Sequence, residues 1–257
     1  MTTRVVAIAV LCTLATAFSA QADTVRKDGI QVHFDAALTP KALPRSATAP
    51  IHVGFSAKLT STDGAPPPQL RSVAIAMNRN GRLDPSGLPV CQFKQIQPTT
   101  TSDALAACGR SVVGEGRFSA KILIPDQATF PSAGKILAFN GSYKGHPAVL
   151  AHVYGTEPVP TSFTLPFLIG RTKGTFGTVL RASLAAATGN SGYVTGLSMR
   201  LGAVFTAHGQ RRSYLSASCP APEGFPAAVF PLARGSFSFR GAPTLTSTLT
   251  RNCAVRE

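Results

Sequence analysis

Ile51-His52-Val53-Gly54-Phe55-Ser56-Ala57-Lys58-Leu59-Thr60 decides the fold class. Apolar residues occupy every odd position, and small, polar or charged ones every even position. A strand turns successive side chains to opposite faces, so this pattern describes a sheet with one buried face and one wet face. The same alternation runs through Ile30-Gln31-Val32-His33-Phe34-Asp35. It returns in Leu197, Met199, Leu201, Ala203 and Phe205, with Ser198 and Arg200 on the opposite face.

Further strands are expected near 70–77, 116–124, 134–140, 147–154, 161–169, 176–184, 212–219, 235–240 and 244–252. Turn chemistry separates them. Asn80-Gly81 suits a type I′ turn, and His208-Gly209 and Arg240-Gly241 punctuate likewise. Lys144-Gly145 is placed to turn a hairpin between Leu137–Tyr143 and Ala148–Tyr154. Helix is nearly absent, the one candidate being residues 103–107 with Ser102 as N-cap. The expected fold is all-β: a two-sheet antiparallel β-sandwich, jelly-roll or related, of about twelve strands. One domain over residues 23–257 is preferred. The stretch Glu157-Pro158-Val159-Pro160 leaves two smaller β domains as the alternative.

The first 22 residues have the pattern of a secretory signal peptide. Arg4 precedes an apolar run from Val5 to Phe18, and Ala20-Gln21-Ala22 offers a small-x-small cleavage site. The run is shorter than the roughly 20 residues a bilayer-spanning helix needs. Leu11, before Cys12, stands where a lipoprotein signal requires a small residue. No other segment offers a transmembrane span, so the expected location is secreted or the extracytoplasmic cell envelope.

Cys91, Cys108, Cys219 and Cys253 then remain, an even number suited to an oxidising compartment. Of three possible pairings, Cys91 with Cys108 and Cys219 with Cys253 close short local loops and are preferred. On loop-entropy grounds they would stabilise by about 3 and about 4 kcal/mol. Zinc ligation would call for CxxC pairs, which the four do not form.

The segments Gly87-Leu88-Pro89-Val90-Cys91, Ile136-Leu137-Ala138-Phe139-Asn140-Gly141 and Ser213-Tyr214-Leu215-Ser216-Ala217-Ser218-Cys219-Pro220 resemble those of an uncharacterised family of exported β-rich proteins from high-GC Gram-positive soil bacteria. The resemblance covers most of the mature chain. It implies export and two disulfides, but no activity, ligand or site. The excess of Arg over Lys, 17 to 8, suits a high-GC genome.

Catalytic motifs are weak. His146 and His152 share one strand face but would stand about 20 Å apart, too far for one metal ion. His33 and Asp35 share a polar face, where a carboxylate could orient an imidazole. Ser132-Ala133-Gly134-Lys135 matches SxxK without its companion motifs, and Gly189-Asn190-Ser191-Gly192-Tyr193 lacks the last Gly of a nucleophile elbow. The 11 acidic residues show no glycosidase pattern. Asn78-Arg79-Asn80-Gly81-Arg82 carries two cations where calcium would need carboxylates. No catalytic residue, metal site or cofactor is assigned.

Charge carries the functional weight. The chain has 25 Lys+Arg against 11 Asp+Glu, a net +14. Loss of residues 1–22 removes only Arg4 and leaves +13. Basic clusters lie at Arg26-Lys27, Arg79/Arg82, Arg171/Lys173 and Arg211-Arg212. Gly170-Arg171-Thr172-Lys173-Gly174 could converge backbone N–H groups and cations on an anion. Arg171, Lys173, Arg211 and Arg212 are therefore the candidate anion-binding residues.

The expected role is a non-catalytic binding or structural protein of the cell envelope. Its partners would be anionic polymers or lipid headgroups, with nucleic acid not expected outside the cell. A secreted hydrolase with a fold-assembled site and a protein-interaction module are the alternatives.

Overall fold

The computed structural model describes residues 22–123, 126–157, 160–184 and 192–256. The N-terminal part holds β1 (Asp23–Lys27), β2 (Ile30–Thr39), β3 (Ala42–Leu43), β4 (Ala49–Pro50), β5 (His52–Ser61), β6 (Leu70–Asn78), β7 (Gly81–Leu83) and β8 (Cys91–Gln92). After helix α1 (Thr101–Cys108) come β9 (Val112–Ile122), β10 (Phe130–Tyr143), β11 (His146–Glu157), β12 (Thr161–Arg171) and β13 (Phe176–Ser183). The C-terminal part adds β14 (Gly192–Leu201), β15 (Val204–Ala207), β16 (Gln210–Ser213), β17 (Leu215–Ala217), β18 (Ala227–Phe239) and β19 (Ala242–Val255).

The protein is all-β, but the expected two-sheet sandwich gives way to one curled, mixed sheet of 14 strands, a half-barrel. Its order is β1-β2-β5-β14-β9-β10-β11-β12-β13-β6-β18-β19-β3, with β8 pairing beside β10. The physical reason is continuity of the ladder. β14 slots between β5 and β9, and β6 slots between β13 and β18, so no unpaired edge divides the middle into two sheets. The short strands β1, β3, β4, β7 and β8 exceed the twelve expected because runs of two to five residues show little periodicity.

Glycines and register shifts supply the curl. A Cβ on Gly116 would stand 2.0 Å from the Ser198 carbonyl oxygen, and one on Gly114 2.2 Å from that of Arg200. Bare backbone on β9 thus lets β14 coil against it. Register shifts at 194/196, 133/135 and 138/139 add local twist.

Curling brings the two ends of the sheet together. Phe34 of β2 meets Phe237 of β18 edge to face, with centroids 5.6 Å apart, over the space left by Gly235. Asp23 accepts a 2.7 Å hydrogen bond from Ser247, so β1 and β19 also touch through side chains. Both free edges are short or charged, which discourages pairing with another chain.

The interior holds one apolar cluster from Ile30 to Cys253, including Phe55, Phe118, Phe167 and Leu180. Strands from both sides of residues 158–159 contribute to it, and Gly155 pairs with Thr161 in the same sheet. A second cluster lies outside the sheet. There Cys91, Ile96, Ala104 and Cys108 cover Leu137, Phe139, Ala148 and Leu150. With both faces covered, β10 and β11 are buried continuously over 136–141 and 148–153.

This cap is built around α1. Thr100, not Ser102, is the N-cap: its hydroxyl accepts from the Asp103 N–H at 3.2 Å, and the Asp103 carboxylate accepts from the Thr100 hydroxyl at 2.7 Å. Disulfides join Cys91 to Cys108 and Cys219 to Cys253, with Cα separations of 5.6 and 5.8 Å. They suit an oxidising environment. No helix of the described residues is long and apolar enough to cross a membrane.

Turns follow local chemistry with one exception. Lys144-Gly145 and His208-Gly209 both take positive φ and close two-residue hairpins, as does Asp28-Gly29. Asn80-Gly81 does not form the expected I′ turn, since neither residue has positive φ. The Asn78 side chain accepts from the Asn80 N–H at 2.9 Å, and β7 leaves to pair with β17.

Candidate functional site

The four basic residues singled out in the sequence separate into two groups. Arg171 ends β12, and the Arg79 N–H donates to the Thr175 carbonyl oxygen at 3.0 Å, drawing the end of β6 beside the 172–175 loop. Arg79, Arg82 and Arg171 consequently line one groove of about 640 Å³, walled by Gly81, Gly170 and Gly177. A Cβ on Gly177 would lie 3.0 Å from the Arg79 Cα, so glycine permits this approach. Arg212 reaches the same groove indirectly, through Asp84 at 3.8 Å. Hydrogen bonds from Ser86, and then the Arg212 charge, hold the Asp84 carboxyl below its usual pKa. Lys173 and Arg211 are exposed and do not line the groove.

A second cationic surface escaped the sequence analysis. It is the outer face of β2, β5, β14, β9 and β10, where the polar halves of the alternating patterns meet. Register places Asp35 opposite Ser56, Ser56 opposite Ser198, Ser198 opposite Arg117 and Arg117 opposite Lys135. Lys58 and Arg200 stand on the neighbouring rows. Two adjoining grooves, of about 660 and 490 Å³, share Ser56, Arg117, Lys135 and Ser198. The signal was present in each strand, but adjacency depends on β14 pairing with β5 and β9, far away in the chain.

Other candidates come apart. His33 hydrogen-bonds Thr24 at 2.9 Å, while Asp35 pairs with Arg251, so the carboxylate does not orient the imidazole. Ser132 lines a small apolar cavity of about 100 Å³ that Lys135 does not line, and Lys135 faces the outer grooves. Gly189, Asn190 and Ser191 of the elbow-like stretch lie outside the described residues, as does most of the 1–22 segment. His146 is exposed, whereas His152 is fully buried beneath the cap. Neither His152 ring nitrogen has a hydrogen-bond partner among the described residues. Burial pushes its pKa down, with the nearby Ile96 carbonyl opposing. The Tyr214 hydroxyl is likewise buried with no partner among the described residues, and burial raises its pKa. No group of three His, Cys, Asp or Glu among the described residues is placed to hold a metal ion.

No protein family, curated protein or solved structure matches this chain.

Proposed function

We propose that this is an exported, non-catalytic binding protein of the cell envelope, whose arginine groove contacts phosphate-bearing polymers or lipid headgroups. The carrying observation is the meeting of Arg79, Arg82 and Arg171 in one groove, none of them in an ion pair among the described residues. The only carboxylate lining that groove among the described residues, Asp84, is already engaged by Ser86 and Arg212. Guanidinium groups bind phosphate oxygens in pairs of parallel hydrogen bonds, so three of them in a concave site favour a phosphate ligand. The export reading rests on the N-terminal pattern and the family resemblance, and the two disulfides agree with it.

Cosedimentation with vesicles containing phosphatidylglycerol, and retention by immobilised polyphosphate, test this reading and separate the two sources of phosphate. Reversing Arg79, Arg82 and Arg171 to Glu should abolish binding. Reversing Arg26, Lys27 and Lys121, an equal change in net charge, should leave most of it. Equal losses in the two variants would overturn the groove as a site. Absence of binding at low salt would overturn the function.

A further inference from the structure

We infer that the outer face of β2, β5, β14, β9 and β10 is a separate site, and that it takes an acidic polysaccharide lying across the strands. Lys58, Arg117, Lys135 and Arg200 are all exposed on this face, and none forms an ion pair among the described residues. Of the two carboxylates lining the larger groove, Asp35 is engaged by Arg251, and Glu115, opposite Arg200 in the ladder, has no ion pair among the described residues. The face therefore presents an excess of positive charge interrupted by one free acceptor.

That interruption selects the ligand. A polyanion without hydroxyl donors, such as a polyphosphate, would bring its anions against Glu115 and leave the serine hydroxyls facing only acceptors. A sugar chain with one carboxylate per residue offers hydroxyls to Glu115 and to Ser56, Ser119 and Ser198, and carboxylates to the cations between them. Arg–carboxylate hydrogen bonds are among the strong ones.

Geometry agrees with an extended occupant. The two grooves adjoin through four shared residues and cross six adjacent strands, from β2 to β11. Steps of about 4.8 Å per strand suit a chain of pyranose rings. At the end of the row, Tyr154 stands opposite Lys135 and lines the smaller groove, where its half-buried ring offers a surface for a sugar face. Gly54 and Gly196 keep the floor low between the charged side chains.

Polygalacturonate is a suitable probe, with neutral dextran as control, read by affinity electrophoresis in native gels. The wild-type protein should be retarded by polygalacturonate and not by dextran. Replacing Arg117 and Lys135 with Ala should weaken retention about tenfold or more. Ser198→Trp, which leaves the charge unchanged and fills the floor shared by both grooves, should do the same. Arg171→Ala should retain wild-type affinity. The inference is overturned if polygalacturonate does not retard the wild type. It is equally overturned if Ser198→Trp binds normally, which would mean diffuse attraction, or if Arg171→Ala abolishes retention, which would place the polymer in the arginine groove.

Discussion

Arg251 of β19 donates to the Asp35 carboxylate of β2 at 2.5 Å, across 216 positions of sequence. Its Nε also donates to the Ala36 carbonyl oxygen at 2.7 Å. This one side chain ties the last long strand of the sheet to the second, where backbone pairing does not. Only 6% of the Arg251 side chain is exposed, against 44% of Asp35, so the two ends of the contact should respond differently to mutation.

Arg251→Ala should destabilise the protein by about 2–4 kcal/mol, since it leaves a buried carbonyl and a half-buried carboxylate without their donor. Asp35→Asn should cost about 1 kcal/mol or less, because solvent already screens that partner and the Ala36 contact persists. Urea denaturation of both variants checks the ordering. A larger loss for Asp35→Asn would show that the ion pair, rather than the carbonyl contact, holds the seam.

Stability should fall as the solution is acidified through the histidine range. His152 is buried with no hydrogen-bond partner among the described residues, and burial, outweighing the Ile96 carbonyl, lowers its pKa, so the folded state keeps it neutral where the unfolded chain takes up a proton. The contribution is present above the unfolded value of about 6.5 and is lost as pH falls toward the lower folded value. Its slope is at most about 1.4 kcal/mol per pH unit for one proton. Thermal denaturation between pH 7.5 and pH 5 should show this decline, and His152→Leu should flatten it. An unchanged profile in that variant would assign the acid sensitivity to other groups.

Non-reducing peptide mapping of the chain from residue 23 should recover Cys91 with Cys108, Cys219 with Cys253, and no free thiol. Cys108→Ser should cost about 2–5 kcal/mol. It should also raise hydrogen exchange in 136–141 and 148–153, which the cap covers. Protection there at wild-type levels would mean that the cap stays docked without its bridge.

Gly116→Ala should destabilise by about 3 kcal/mol, because the new methyl would meet a backbone oxygen at 2.0 Å and neither strand can retreat without breaking the ladder. Gly145→Ala also meets a penalty, from its positive φ of 79°, but there the surroundings are open. Its cost should be about 1 kcal/mol. Circular dichroism melts of the two variants compare these causes directly.

Much of the strand content was legible because residues such as those in β2 and β5 alternate without error. Alternation reports which face is buried but not which strands are neighbours. The curl came from Gly114 and Gly116 and from register shifts, none of which disturbs periodicity enough to be seen. Burial of both faces of β10 and β11 depended on a cap from elsewhere in the chain. Arg171 and the Arg79/Arg82 pair were visible as separate basic clusters, yet their meeting required the Arg79–Thr175 contact. The outer cationic face was least visible. Lys58, Arg117, Lys135 and Arg200 are scattered one to a strand; Arg117 and Lys135 meet across β9 and β10, and the insertion of β14 brings Arg200 and Lys58 beside them.

That insertion sets a timetable for folding. Until residues 192–201 arrive, β5 and β9 each present an open edge of unpaired N–H and C=O groups to whatever is nearby. Such distant pairings are slow to form, because the entropy of closing the long intervening loop is lost before the contact returns it. A chain interrupted between β13 and β14 therefore holds two half-built sheets with sticky flanks, a state inclined to self-association. A cell making this protein has reason to keep it unpaired and chaperoned until its last quarter has emerged.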